Sequence, residues 1–452
     1  MSLSETEATG QAGTGTVVNT RSKHPGFPMR RALLANWSLF LGMMLLMVAN
    51  GLLVTLLTIR GATLGFSDLE ISIMQACYPL GALVGTILTP RLIEKVGHIR
   101  TFSALASMVS VAAIAHLLTS DPVSWSLMRL LAGFCFPGLY VITESWLNAQ
   151  AENRTRAQIL SVYFIIQTAG PALGTAMIAL PDPSGNMLFG LSSILLSVAI
   201  VPLLLSNVRA PEYTAPDRMP VTRLYRVSPM AVLGIVIMGS GVVGWFISLP
   251  LIALNAGYSE SQASFALVVA MLAAAVSQYP IGWLSDRIDR RYVVIGLSLV
   301  SVLAALWMAV DTDPSRIVVG YAVIAAVTLP VYSILAAHAN DQLSPAQIIP
   351  ASGTMAFLLQ LGQFFGMLIA PNLVRLADGR GLQIMLILVG LTVAMIAITR
   401  RVRSEAPEET GEFQAMGILG VAQPGMLQAE VMLDEELAEA DGSVEESSSD
   451  RQ

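Results

Sequence analysis

GTILTPRLIEKVGHIR, residues 85–100, closes one long apolar run and opens the next, and it places Glu94, Lys95, Gly97, His98 and Arg100 at the junction. From Pro90 onward this stretch has a partial copy 192 residues later, GWLSDRIDRR, at Gly282 to Arg291. A second correspondence has the same offset. GFSDLE at Gly65 to Glu70 and GYSESQ at Gly257 to Gln262 each read as a glycine turn, a serine N-cap and an acidic first helical turn. Pro137 and Pro330 make a third match at nearly that spacing. Three matches at nearly one offset indicate an internal duplication.

Outward from the junction, the composition is that of a membrane protein. Of 452 residues, 54% are hydrophobic and 12% are charged, against about 25% charged in a soluble domain. The apolar residues fall in blocks of about 20, the length that crosses a hydrocarbon core. Twelve spans are expected, at 34–57, 69–90, 101–119, 124–147, 158–180, 187–206, 229–251, 262–284, 292–311, 316–340, 350–373 and 381–399. The fold expected is therefore all-α and membrane-integral, with two pseudo-symmetric six-helix halves at 34–206 and 229–400. A polar linker at 207–228 carries Pro211, Pro216 and Pro220.

Outside the spans, residues 1–33 read as a disordered segment with a basic end, too polar for a cleavable signal, so the first apolar run is expected to be a retained helix. Residues 401–452 read as an acidic, mostly disordered tail. The net charge of −6 hides a tail of −12 over 405–452 and +6 elsewhere. Basic residues set the topology: 19 fall on the side that holds both termini and four (Arg60, Arg316, Arg375 and Arg380) on the other. This positive-inside bias puts both termini in the cytoplasm. Cys77 and Cys135 lie inside apolar runs and are expected as free, packed thiols. No His, Cys or carboxylate set has metal-ligand spacing, and neither a nucleotide motif nor a nucleic-acid signature is present. No metal, cofactor or nucleic acid is therefore expected.

Six plus six spans, a basic central loop and a hinge of the form G-x-x-x-D-R-x-x-R-R resemble the major facilitator superfamily of secondary transporters. The second copy keeps Gly282, Asp286, Arg287, Arg290 and Arg291, with Asp289 where a glycine is usual. The first has Pro90, Glu94 and Lys95 at the leading positions, and Arg100 one place late. ITESWLNAQAENRTRAQ, Ile142 to Gln158, and LPVYSILAAHANDQL, Leu329 to Leu343, are similar to the YcaD-like branch of bacterial inner-membrane transporters. The resemblance covers about residues 30–400. It implies a multi-pass protein of the bacterial inner membrane, expected as a monomer among lipid, and secondary transport of a small solute by alternating access with no enzymatic reaction.

It also implies roles. Glu94, Lys95, Arg100, Glu144, Arg156, Asp286, Arg287, Arg290 and Arg291 are candidates for a cytoplasmic gate, with Asp286 the stronger latch. The competing reading of the hinge charges is that they anchor loops and set topology. Glu144 is either a gate carboxylate bridging to Arg156, Lys95 or Arg100, or a proton site in the cavity. Arg129, in an R-x-x-x-G pattern with Gly133, either attracts anions or takes part in proton coupling, or serves as a hydrogen-bond hub. His338 is either a coupling residue or a hydrogen-bonded core histidine; it shares a helix face with Asp341 and not with Tyr332.

Gly170, Pro171 and Gly174 resemble an exporter element and permit close helix approach; Gln360 and Gln363, with Gly362 and Gly366, form a looser counterpart. The solute or proton pathway is expected among Asn50, Gln75, Arg129, Tyr140, Tyr163, Gln167, Trp245, Tyr332, His338 and Gln360. Spans 1, 4, 7 and 10 line the central cavity in this fold, and few fixed charges among several aromatics suit an apolar or amphipathic solute. Proton-coupled efflux is the leading expectation. A non-transporting receptor or assembly factor that makes contacts through its acidic tail is the alternative.

Overall fold

A computed structural model describes residues 36–150, 153–182, 185–205, 218–310, 314–377 and 379–403. Twelve helices in it are long and apolar enough to cross a membrane. They are α1 (Trp37–Thr63), α2 (Asp68–Val96), α3 (His98–Ala115), α4 (Pro122–Gln150), α5 (Asn153–Ala176), α6 (Met187–Val198), α7 (Pro229–Asn255), α8 (Glu260–Ser285), α9 (Arg290–Val310), α10 (Pro314–Asn340), α11 (Pro345–Leu373) and α12 (Gly381–Arg403). The span of α6 continues as Val201–Leu205, and a further short helix, Val221–Val227, precedes α7. Among the described residues there is no strand.

The two repeated turns form as their residues dictate. Gly65 and Gly257 have φ of +84° and +87°, which glycine adopts without steric cost. Ser67 and Ser259 then cap α2 and α8 in capping boxes closed by Glu70 and Gln262. The two charged hinges differ from each other. α2 continues through Pro90 to Val96, so Glu94 and Lys95 ride on its last turn, and the break is confined to Gly97 at φ +85°. α8 stops at Ser285, and a turn separates it from α9. A helix runs on past the hydrocarbon until a turn residue or a cap stops it, so several helices exceed the apolar runs that announce them.

The duplication is written in the packing. In the first half α2 lies on α4, α1 on α5 and α3 on α6; in the second, α8 lies on α10, α7 on α11 and α9 on α12. The halves meet through two related contacts, α2 with α11 and α5 with α8, and through α1 with α7. Small residues set the close pairs. A methyl group at Gly133 of α4 would overlap the Tyr78 carbonyl of α2, and one at Gly174 of α5 would overlap the Val48 carbonyl of α1. Without a hydrophobic drive between helices in lipid, this backbone approach is a main source of adhesion. Both cysteine thiols are free.

Candidate functional site

A small cavity of about 30 Å3 lies between the halves, room for about two water molecules. Asn50, Val54, Tyr78 and Arg129 line it from the first half, and Val242, Val243, Phe246, Gln363 and Met367 from the second. Its walls therefore come from α1, α2, α4, α7 and α11. No residue of α10 is among those that line this cavity; Tyr332 and His338 are buried. The apolar wall escaped the sequence reading because α7 is apolar all round, so a cavity-facing valine looks like any other.

Arg129 organises the polar side. Its side chain is 0% exposed. Nη2 donates to Gln75 Oε1 at 3.0 Å, and the guanidinium lies 4.4 Å over the Tyr78 ring. Gln75 in turn donates to Thr58 Oγ1 at 2.8 Å, and Asn50 Nδ2 donates to the Tyr140 hydroxyl at 3.1 Å. Gln75 and Tyr78 share one face of α2 because they stand three residues apart. Arg129 Nε and Nη1 and Asn50 Oδ1 have no hydrogen-bond partner.

Glu144 lies fifteen residues further along α4 than Arg129, about 22 Å at 1.5 Å per residue. It is buried and accepts a hydrogen bond from the Tyr163 hydroxyl at 3.3 Å. Gln167 stands one turn from Tyr163 on α5 and is buried too. Neither Tyr163 nor Gln167 lines the cavity described above. The side chain of Arg156 lies outside the described residues.

Elsewhere in the second half, Trp245 Nε1 donates to Thr328 Oγ1 at 3.2 Å, and His338 Nε2 stands 3.1 Å from Gln342 Nε2. Gln360 is buried with Oε1 lacking a hydrogen-bond partner.

At the hinge end, Glu94, Lys95 and Arg100 are exposed. Arg290 is the buried member of the second hinge. It meets Asp341 at 2.9 Å with both side chains 1% exposed, and reaches Asp286 at 3.3 Å and Ser285 Oγ at 3.1 Å. Arg287 instead lies 3.9 Å over the ring of Trp283, and Arg291 approaches Asp289 at 4.0 Å. These hinge contacts stay within the second half.

The opposite end, which the positive-inside pattern places outside, carries contacts between halves that local sequence patterns did not reveal. Asp68 pairs with Arg375 at 3.2 Å, and Glu260 with Arg60 at 3.9 Å. Asp68 and Glu260 are the repeat-related acids of the two capped first turns, so each half offers the same carboxylate to an arginine of the other. Arg60 also pairs with Asp182 at 3.6 Å, and Asn372 donates to Ser72 Oγ at 2.8 Å across the α2–α11 seam.

Among the described residues no three His, Cys, Asp or Glu side chains gather into a metal-holding group.

A model of the Major Facilitator Superfamily matches residues 39–259 and 230–430. An uncharacterized MFS-type transporter of Enterobacter sp. (strain 638) is 28% identical over 335 residues, 73% of this chain and 86% of that one. The uncharacterized MFS-type transporter YcaD of Escherichia fergusonii is 26% identical over 331 residues, covering 72% and 85%. Among solved structures, nucleoside transporter NupG superposes with a TM-score of 0.66 at 15% identity, over 81% of this chain and 98% of that one.

Proposed function

Since the chain belongs to the major facilitator superfamily, we propose that it moves a small apolar or amphipathic solute across the bacterial inner membrane, in proton-coupled efflux, as a YcaD-like secondary transporter. The mechanism of this class is alternating access. The observation that carries the reading for this chain is the distribution of contacts between halves. A small cavity sits between two six-helix units, and beyond it the outer ends are held by pairs such as Asp68–Arg375 and Arg60–Glu260. Ion pairs in contact with water are worth about 0–1 kcal/mol each. Together they close one end firmly enough to populate that state and weakly enough to be broken when the halves rock.

The hinge end supports the same reading from the other side. Its buried link, Arg290–Asp341, ties α9 to α10 inside one half, so that half swings as a unit. Asp286 keeps one exposed flank and is the carboxylate we assign to the latch that forms when the outer end opens. Glu144, buried beside the Tyr163 hydroxyl, is the carboxylate we assign to the coupling proton. An intramembrane acid is a functional group by default, since burying it otherwise only costs stability.

Reconstitution in proteoliposomes with an unbiased solute screen, with and without an imposed pH gradient, tests this. A solute that moves faster under the gradient, and loses that dependence in Glu144→Gln, is expected. Movement independent of the gradient would overturn proton coupling, and no movement of any solute would favour the receptor alternative.

A further inference from the structure

We propose that the central cavity binds an organic anion, with Arg129 holding a carboxylate head and the α7 and α11 wall holding an apolar body. This deepens the transport reading and rests on it for the passage of the ligand, while the binding step stands on the geometry below.

A guanidinium stays charged in a protein interior. That of Arg129 is fully buried, and no carboxylate lies within 4 Å of it among the described residues. The buried acid of the same helix, Glu144, is about 22 Å away along the axis. Of five N–H donors, those on Nε and Nη1 have no partner. A purely structural arginine in lipid has its donors filled, because an unpaired buried charge is among the costliest groups a protein can carry. The Tyr78 ring and the Gln75 carbonyl hold the guanidinium in place without neutralising it.

The rest of the cavity limits the ligand. Val242, Val243, Phe246 and Met367 face the same space, with Gln363 the one polar side chain on that wall, so the body that follows the head is mainly apolar. A neutral solute would leave the cation uncompensated, and a polyanion would press further charges against hydrocarbon. With the halves packed as they are, the space of about 30 Å3 matches a carboxylate head; the body enters as the halves part.

The full-length protein in detergent should therefore be stabilised by benzoate and 4-phenylbutyrate far more than by benzamide and 4-phenylbutyramide. The expected result is a rise of several degrees in Tm with the acids, and at least tenfold weaker apparent binding of the amides. Arg129→Gln should erase the difference. Gln75→Glu is the second variant. It places an internal carboxylate at the atom 3.0 Å from Nη2, so it should fold at least as stably as the parent and lose acid binding by tenfold or more. Equal response of the parent protein to acids and amides would overturn the proposal, as would an acid preference that survives Gln75→Glu. Loss of acid preference while the two ends of the molecule still exchange between open and closed would refute the anion site and spare the transport reading. Acid preference in a molecule whose ends never exchange would do the reverse.

Discussion

Replacing Asp341 by Asn strips the charge from the best-buried ion pair at the hinge while keeping the side chain's size. Arg290 and Asp341 meet at 2.9 Å with both side chains 1% exposed. Removing one partner of such a pair costs about 3–5 kcal/mol, because the other charge is left in the interior. Arg290 retains Ser285 Oγ at 3.1 Å and Asp286 at 3.3 Å, which places the loss near the low end, about 3 kcal/mol. Asp286 is 34% exposed, and water screens its share to no more than about 1 kcal/mol. Chemical unfolding in detergent should thus rank Asp341→Asn well below Asp286→Asn in stability. The double variant should lose more than the sum, since Arg290 then has neither of these carboxylates to balance its charge. A larger loss from Asp286→Asn than from Asp341→Asn would refute the assignment of Asp341 as the structural anchor and Asp286 as the mobile latch.

Other perturbations follow from the packing and the outer contacts. Gly133→Ala drives a methyl into the Tyr78 carbonyl and should lower stability by about 1–3 kcal/mol, measured as a fall in Tm, with solute binding weakened because Tyr78 and Arg129 move apart. Arg60→Gln removes the pairs to both Asp182 and Glu260 and should shift the balance of states toward an open outer end by about 1 kcal/mol, or roughly fivefold; faster alkylation of a cysteine placed at Ser72 would register it. Ser72→Cys with Asn372→Cys joins α2 to α11 where the native side chains stand 2.8 Å apart. Oxidation should halt transport, and reduction should restore it.

Much of the architecture was legible because membrane helices announce themselves in single runs. Each span is about 20 apolar residues, and Ser67 with Glu70 or Ser259 with Gln262 marks a start within a few residues. The offset of 192 residues between the repeated turns anticipated the matched packing of α1–α6 and α7–α12, since equal sequences fold into equal halves. Local spacing does not encode which distant side chains meet. The hinge motif drew attention to Asp286 and Arg287, yet it is Arg290 that turns inward, toward an Asp341 that is 51 residues away. Arg129 was recognisable as an unusual charge within a span, while its partners Gln75 and Tyr78 sit on another helix. Asp68 and Glu260 read as ordinary first-turn acids stabilised by the helix dipole; their second use, pairing across the halves, emerges only when the ends of α1 and α11 are in place.

The central claim is that the two ends of the molecule open in alternation. Spin labels at exposed Leu64 and Ala256 report on the outer end, and labels at exposed Glu94 and Ile288 on the hinge end. Double electron–electron resonance on the two pairs should give two distances each, short outside when long at the hinge, with Arg60→Gln moving both populations in opposite senses. A single distance at each end, unmoved by that substitution and by pH, would contradict the account.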